Sequence, residues 1–187
     1  MLPYMSNVLD SILAEVCPDL NGPRRTMFFD LADPEKRTTA DILRALELIS
    51  RFERHFNVIL GLNEKEGWEI AEVCGAKTQS TTAEALGEVA RKIAAKLKIG
   101  TLVIHPTAFA LAVSDGKVSM VDGPYTAKPL VTTGAGDHFN SGFCLGKLLG
   151  FDNTMSLLTG VATSGLYVRT GQSPSIPQVA GLLKEPW

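Results

Sequence analysis

The chain has 187 residues, with 18 basic and 20 acidic side chains, a formal net charge of −2, 45% hydrophobic and 20% charged residues. That balance excludes a disordered chain, a collagen-like repeat and a disulfide scaffold, and it argues against a nucleic-acid partner held by bulk positive charge. The length suits one α/β domain over residues 1–187, and the slight acidity is compatible with a small anion held by local dipoles. No apolar run approaches the roughly 18 residues of a membrane span, so no membrane partner is expected. The start of the chain, MLPYMSNVLDSILAEVC, lacks the basic opening and small-residue cleavage site of a signal peptide. Cys17, Cys74 and Cys144 stand far apart with no CxxC pair, which suits reduced, mostly buried thiols and a cytoplasmic location. His55, His105 and His138 are equally scattered, and no metal-ligand cluster is visible.

In chain order, the opening residues read as an amphipathic helix, broken by Pro18 and Asn21-Gly22-Pro23. Thr26 to Ala32 reads as a short buried strand. Thr38-Thr39-Ala40-Asp41 reads as a capped helix start, followed by Ile42, Leu43, Leu46, Ile49 and Phe52 at helical spacing. Asn57 to Leu62 is a second strand, and Asn63 opens a helix bearing Trp68, Ile70 and Val73. A long helix follows from Thr81 to Leu97, then a third strand from Thr101 to His105. Ala108 to Ser114 and Lys117 to Val121 flank Asp115-Gly116 and read as a hairpin. After the glycine-rich turn come two helical stretches, one to about Gly150 and one from Asn153 to about Val168. Strands separated by helices imply a mostly parallel sheet with helices on both faces. Ligands in such sheets sit at the C-terminal strand ends, beside helix N-termini.

Thr132-Thr133-Gly134-Ala135-Gly136-Asp137 is the most informative stretch. Its alternate glycines allow a tight turn with several N–H groups pointing one way, and a helix starting here adds the positive end of its dipole. Asp137 in the first turn could then take a proton from an attacking hydroxyl while the amides stabilise a transferring phosphate. On position alone, the alternative is a plain strand-to-helix turn. Two other phosphate motifs fail: Phe139 occupies the third glycine position of a dinucleotide fingerprint, and Gly142 to Lys147 is one residue short of a Walker A loop.

The segment VTTGAGDHFNSGF resembles the C-terminal signature of the PfkB (ribokinase-like) carbohydrate kinases, D-T-x-G-A-G-D-x-F, with Thr132, Gly134, Ala135, Gly136, Asp137 and Phe139 matching. The resemblance implies a ribokinase-like, three-layer Rossmann-like fold and phosphoryl transfer from ATP, with Mg2+, to a hydroxyl of a sugar or related small molecule. Asp137 is then the base, and the amides of Gly134, Ala135 and Gly136 hold the transferring phosphate. Thr133 and Gly171, within Thr170-Gly171-Gln172-Ser173, fall where the family contacts the nucleotide. Asn63 and Glu66 resemble its N-x-x-E motif near magnesium and phosphates, with Glu66 acting on the metal through water. The alternative for Asn63 is a helix N-cap followed by first-turn acids. Phe29 to Arg37 resembles a strand-end D-P-x-x-R segment, in which Asp33 and Arg37 are equally well read as a structural ion pair.

Three departures accompany the match. Val131 stands where the family usually has an Asp that helps bind a monovalent cation, which leaves potassium activation in doubt. His105-Pro106 replaces a Thr- or Ser-containing turn followed by Gly; His105 and His138 both read as structural. The likeness covers the last half to two thirds of such a kinase, without its Gly-Gly segment, sugar contacts and β-sheet lid. The expected activity is a sugar kinase or its nucleotide half. The alternative is a catalytically silent nucleotide-binding or assembly module, for which exposed sheet edges favour a homo-oligomer.

Overall fold

The computed structural model describes residues 4–31, 33–76 and 78–185. Residues 1–3 of the expected opening helix and Ala32, the end of the expected first strand, lie outside the described residues. The chain divides into two compact units, one of residues 1–103 and 113–117, the other of residues 104–112 and 118–187.

Five strands form one sheet in the order β1-β2-β3-β4-β5: β1 Arg25–Asp30, β2 Phe56–Asn63, β3 Thr101–His105, β4 Phe109–Ser114 and β5 Lys117–Asp122. β1 and β2 are parallel, with Arg25 opposite Phe56 and Asp30 opposite Gly61. The mostly parallel α/β sheet expected from the alternating pattern is therefore present, with β4 and β5 as its hairpin. Asp115 (φ 50°) and Gly116 (φ 73°) supply the two left-handed residues that a tight two-residue hairpin needs.

The first unit is built on local signals that act as its sequence suggests. α1 (Met5–Ser11) continues as a π turn over Ile12–Val16 and a 3-10 turn over Cys17–Asp19, where Pro18 has no N–H with which to extend the helix. The wider turn over Ile12–Val16 departs from the regular helix expected there, and nothing in the structure explains it. α2 (Thr39–Phe52) starts at Thr38, whose hydroxyl accepts from the Asp41 amide at 3.2 Å. Its buried stripe is Ile42, Ala45, Leu46, Leu48, Ile49 and Phe52. Leu43, expected in that stripe, is turned out and exposed. α4 (Ala83–Leu97) is capped by Thr82, which accepts from Ala85 N. The strands of this unit bury Val58, Leu60, Leu62 and Leu102 completely. Gly61 is a packing glycine: a Cβ there would overlap the ring of Phe28, which lies across it from β1.

The second unit packs α5 (Ala135–Leu148) on α6 (Asn153–Thr170) with almost no space between their backbones. A Cβ on Gly142 would lie 2.7 Å from the Thr159 carbonyl oxygen, and one on Gly146 would lie 2.8 Å from Ser156 Cα. On the facing helix, a Cβ on Gly160 would lie 2.8 Å from the Phe139 ring. These three glycines set the helix separation. A seventh helix, α7 (Ile176–Leu182), was not anticipated, although Ser175 and Gln178 form a capping box at its start and Pro177 sits in its first turn.

Candidate functional site

In the second unit, the glycine-rich turn becomes the N-terminus of α5. Gly134 is its N-cap with φ 88°, a conformation that costs an L-residue strain. No side chain caps this end. The Ala135 amide is used within the turn, donating to the Thr132 carbonyl at 3.1 Å. Among the described residues, the amides of Gly136 and Asp137 donate to nothing. Two open donors at the positive end of a 14-residue helix form a local anion-binding arrangement. Asp137 lies in the same turn, exposed, and no hydrogen bond or ion pair among the described residues engages its carboxylate.

The turn is held from its other side. The Tyr167 hydroxyl donates to the Thr133 carbonyl at 2.9 Å, and the Ser164 hydroxyl donates to the Ala135 carbonyl at 3.0 Å. His138 Nδ1 lies 2.7 Å from the Gly134 carbonyl and Nε2 lies 2.9 Å from Ser173 Oγ. A carbonyl has no hydrogen to give, so Nδ1 carries the proton, and in the neutral ring Nε2 accepts from the Ser173 hydroxyl. The His138 and Tyr167 rings stack with centroids 3.6 Å apart and planes 10° from parallel. His138, read from the sequence as structural, thus holds the turn, the loop residue Ser173 and the Tyr167 ring together.

A cavity of about 260 Å³ opens beside the turn. Thr132, Ala135, Gly136 and Phe139 form one wall, and Val161, Ser164, Gly165 and Val168 of α6 form another. The third side is His105-Pro106-Thr107 and the segment from Gly123 to Pro129. His105 stacks on Phe139 at 4.6 Å, and its Cε1 lies 3.4 Å from the place a Gly136 Cβ would take. Gly165 has no room for a side chain because Pro124 fills the space a Cβ would take, and Arg169 fixes that approach by donating to the carbonyls of Gly165 (2.8 Å), Pro124 (2.7 Å) and Tyr125 (3.1 Å).

Several of these residues escaped the sequence reading. Val161, Ser164, Gly165 and Val168 fall on one helical face at spacings of three and four, a signal that was present but pointed to no ligand. Thr132, part of the matched signature, lines the cavity, whereas Thr133 and Gly171, the expected nucleotide contacts in this unit, do not; the Thr133 carbonyl accepts from Tyr167. Gly171 is the left-handed C-cap of α6 (φ 69°), donating to the Tyr167 carbonyl, and a Cβ there would touch Leu130 Cδ2 at 3.4 Å.

Asn63 and Glu66 belong to the first unit and build the start of α3 (Glu64–Val73). Asn63 Oδ1 accepts from Glu66 N at 2.9 Å, and Glu66 Oε2 accepts from Asn63 N at 2.9 Å, a complete capping box. Glu66 Oε1 accepts from Asp33 N at 3.0 Å and so secures a residue at φ 60°. Glu66 is only 5% exposed, and each of its oxygens already has one backbone donor. What remains is one further lone-pair direction per oxygen, which suits an outer-sphere contact through water better than direct ligation of a hard cation. Asp33 pairs with Lys36 at 2.9 Å and lies 3.9 Å from Lys65; the Lys36 ammonium holds its carboxyl below the usual range. No group of three or more His, Cys, Asp or Glu side chains suited to a metal occurs among the described residues. No helix among them is long and apolar enough to cross a membrane.

Comparison with known proteins gives this geometry a context. The family model described as prokaryotic ketohexokinase matches residues 1–185. A ketohexokinase of Haloferax volcanii is 26% identical over 178 residues, covering 95% of this chain and 46% of that protein. Among solved structures, the ribokinase of Thermotoga maritima superposes with a TM-score of 0.67 at 18% identity, covering 95% of this chain and 52% of the other. A structure from Escherichia coli described as a ribokinase II, in complex with ATP and Mg2+, gives 0.64 at 17% identity, covering 98% and 55%. The chain thus spans about half the length of the relatives it matches, and the fold is that of the ribokinase-like proteins.

Proposed function

Because the chain belongs to the prokaryotic ketohexokinase family, we propose that it holds the nucleotide-binding and phosphoryl-transfer apparatus of a PfkB-type sugar kinase. The observation that carries this reading is the start of α5: two amides without acceptors, the positive helix end, and an exposed carboxylate in the same turn. ATP is the phosphoryl donor and a sugar-like hydroxyl the acceptor. Asp137 takes the proton from that hydroxyl. The Gly134–Gly136 backbone stabilises charge on the transferring phosphoryl group, in a reaction whose catalysis is mostly positioning and electrostatics. The cavity beside the turn, lined largely by Pro, Val, Phe and Gly, receives the nucleotide's apolar base, with Thr133 and Gly171 near its phosphates and sugar.

Mg2+, when bound, would supply positive charge to offset that of the phosphates, and Asn63 and Glu66 are the residues of this chain that would hold it. Glu66 acts there through water, in keeping with its two backbone hydrogen bonds. Free thiols at all three cysteines fit a reducing, cytoplasmic setting.

A second reading, a nucleotide-binding or assembly module without turnover, rests on the chain's matching only about half of each relative. Calorimetric titration of Mg·ADP and a coupled assay with Mg·ATP and a panel of sugars, fructose included, separate the two. Asp137→Asn is expected to bind Mg·ADP as the parent chain does and to lose transfer. Gly136→Asp, which places a carboxylate among the open amides and presses a side chain toward His105, is expected to lose binding. Binding without transfer to any sugar favours the module; normal turnover in Asp137→Asn refutes the assignment of the base.

A further inference from the structure

Three consecutive carbonyl oxygens of the glycine turn each receive a hydrogen from a side chain. Thr133 O is held by Tyr167, Gly134 O by His138 Nδ1, and Ala135 O by Ser164. A trans peptide is planar, with its C=O and the next N–H on opposite sides. Fixing those three carbonyls therefore fixes the directions of the Gly134, Ala135 and Gly136 N–H groups. Backbone–backbone bonds fix part of this arrangement, the Ala135 amide donating to Thr132 O and the His138 amide to Gly134 O, both at 3.1 Å, while the Thr133 carbonyl takes its hydrogen from Tyr167. Gly134 further requires the arrangement, since its positive φ brings the place of a Cβ to 3.1 Å from the Tyr167 hydroxyl.

We propose that Tyr167, His138 and Ser164 are positioning residues that preset the turn's amides toward an anion, and that His138 also ties the turn to Ser173 in the loop after α6. The inference rests on the phosphoryl-transfer reading, for which the turn is the anion site. None of the three side chains needs to touch the nucleotide. Their contribution is to remove the orientational freedom that a Gly-Ala-Gly segment would otherwise have to lose when the anion arrives. The ring stack at 3.6 Å holds His138 against Tyr167 while its Nδ1 reaches the turn.

The test is calorimetric titration of Mg·ADP into the 187-residue chain and four variants, each first confirmed as folded by thermal melting. Tyr167→Phe keeps the ring and deletes only the hydroxyl; Ser164→Ala deletes the second donor. His138→Asn keeps a donor near the Nδ1 position, and His138→Ala keeps none. Tyr167→Phe, Ser164→Ala and His138→Ala are each expected to weaken Mg·ADP binding about 3- to 10-fold, the scale of one lost positioning hydrogen bond. His138→Asn is expected to bind within about twofold of the parent, since its amide replaces the Nδ1 donor. A purely structural role would lower the melting temperature and leave affinity unchanged. The parent's His138 is further expected to show a protonated Nδ1 by ¹⁵N NMR, where an Nε2–H ring would contradict the geometry. Parent binding with unchanged affinity in Tyr167→Phe, Ser164→Ala and His138→Ala overturns the positioning role and leaves the kinase reading standing. A folded parent chain that does not bind Mg·ADP overturns the kinase reading itself, and the positioning role with it.

Discussion

The cost of a side chain at Gly134 can be worked out against an internal reference. Gly134 and Gly150 both have a left-handed backbone, with φ of 88° and 79°. A Cβ on Gly150 meets nothing within 4 Å, whereas one on Gly134 lies 3.1 Å from the Tyr167 hydroxyl and 3.5 Å from its Cζ. Gly150→Ala therefore reports backbone strain alone, about 1–2 kcal/mol for an L-residue held in that region. Gly134→Ala adds the displacement of a hydroxyl that donates to Thr133 O at 2.9 Å, on a ring already stacked against His138. Losing that hydrogen bond adds about 0.5–1.5 kcal/mol. The expected totals are about 1–2 kcal/mol for Gly150→Ala and about 1.5–3.5 kcal/mol for Gly134→Ala. In a chain of this size that corresponds to melting decreases of roughly 2–8 °C and 3–14 °C. Urea unfolding of the two variants and of Tyr167→Phe/Gly134→Ala provides the assay. In the double variant the hydroxyl is already absent, so Gly134→Ala should cost no more there than Gly150→Ala does in the parent. Equal losses for the two single alanine variants would refute the argument that Tyr167 occupies the space beside the turn.

Three other outcomes follow from the same structure. Gly142→Ala forces the α5–α6 contact apart, because the new methyl meets the Thr159 carbonyl oxygen at 2.7 Å, and it should cost about 1–3 kcal/mol in urea unfolding. An effect below a few tenths of a kcal/mol would mean that the helices are not in backbone contact. Glu69 has a buried Oε2 without a hydrogen-bond partner, and burial raises its carboxyl above the ordinary range. The folded chain therefore binds this proton more readily than the unfolded chain does, and the ionised group opposes folding at neutral pH. Glu69→Gln should stabilise the protein at pH 7, with the advantage shrinking as the pH falls through the raised carboxyl range; comparing melts at pH 7 and pH 4.5 checks this. Burial also raises the thiols of Cys17, Cys74 and Cys144. All three should react slowly with an aromatic disulfide at pH 8 in the native protein and fully after denaturation.

Much of this molecule is written in short-range rules that a sequence displays openly. Thr38, Thr82 and Asn63 cap the helices they precede because a side-chain oxygen two or three residues from an open amide is a local matter. Asp115-Gly116 makes its hairpin for the same reason, and the GAGD string places two glycines and an acid at a helix start whatever surrounds them. Where side chains at distant positions must agree, sequence spacing is silent. Leu43 is as apolar as Leu46, yet only packing decides which of them faces inward. Thr132 and not Thr133 lines the cavity, and the Thr133 carbonyl meets a hydroxyl 34 residues further on. The cavity itself requires α6 to lie against α5 at a separation set by three glycines and one Phe ring. Local chemistry thus determined where an anion site can form and which carboxylate stands beside it. The tertiary structure decided which side chains meet the turn, since Tyr167 and Ser164 reach its carbonyls from α6, about thirty residues further along the chain.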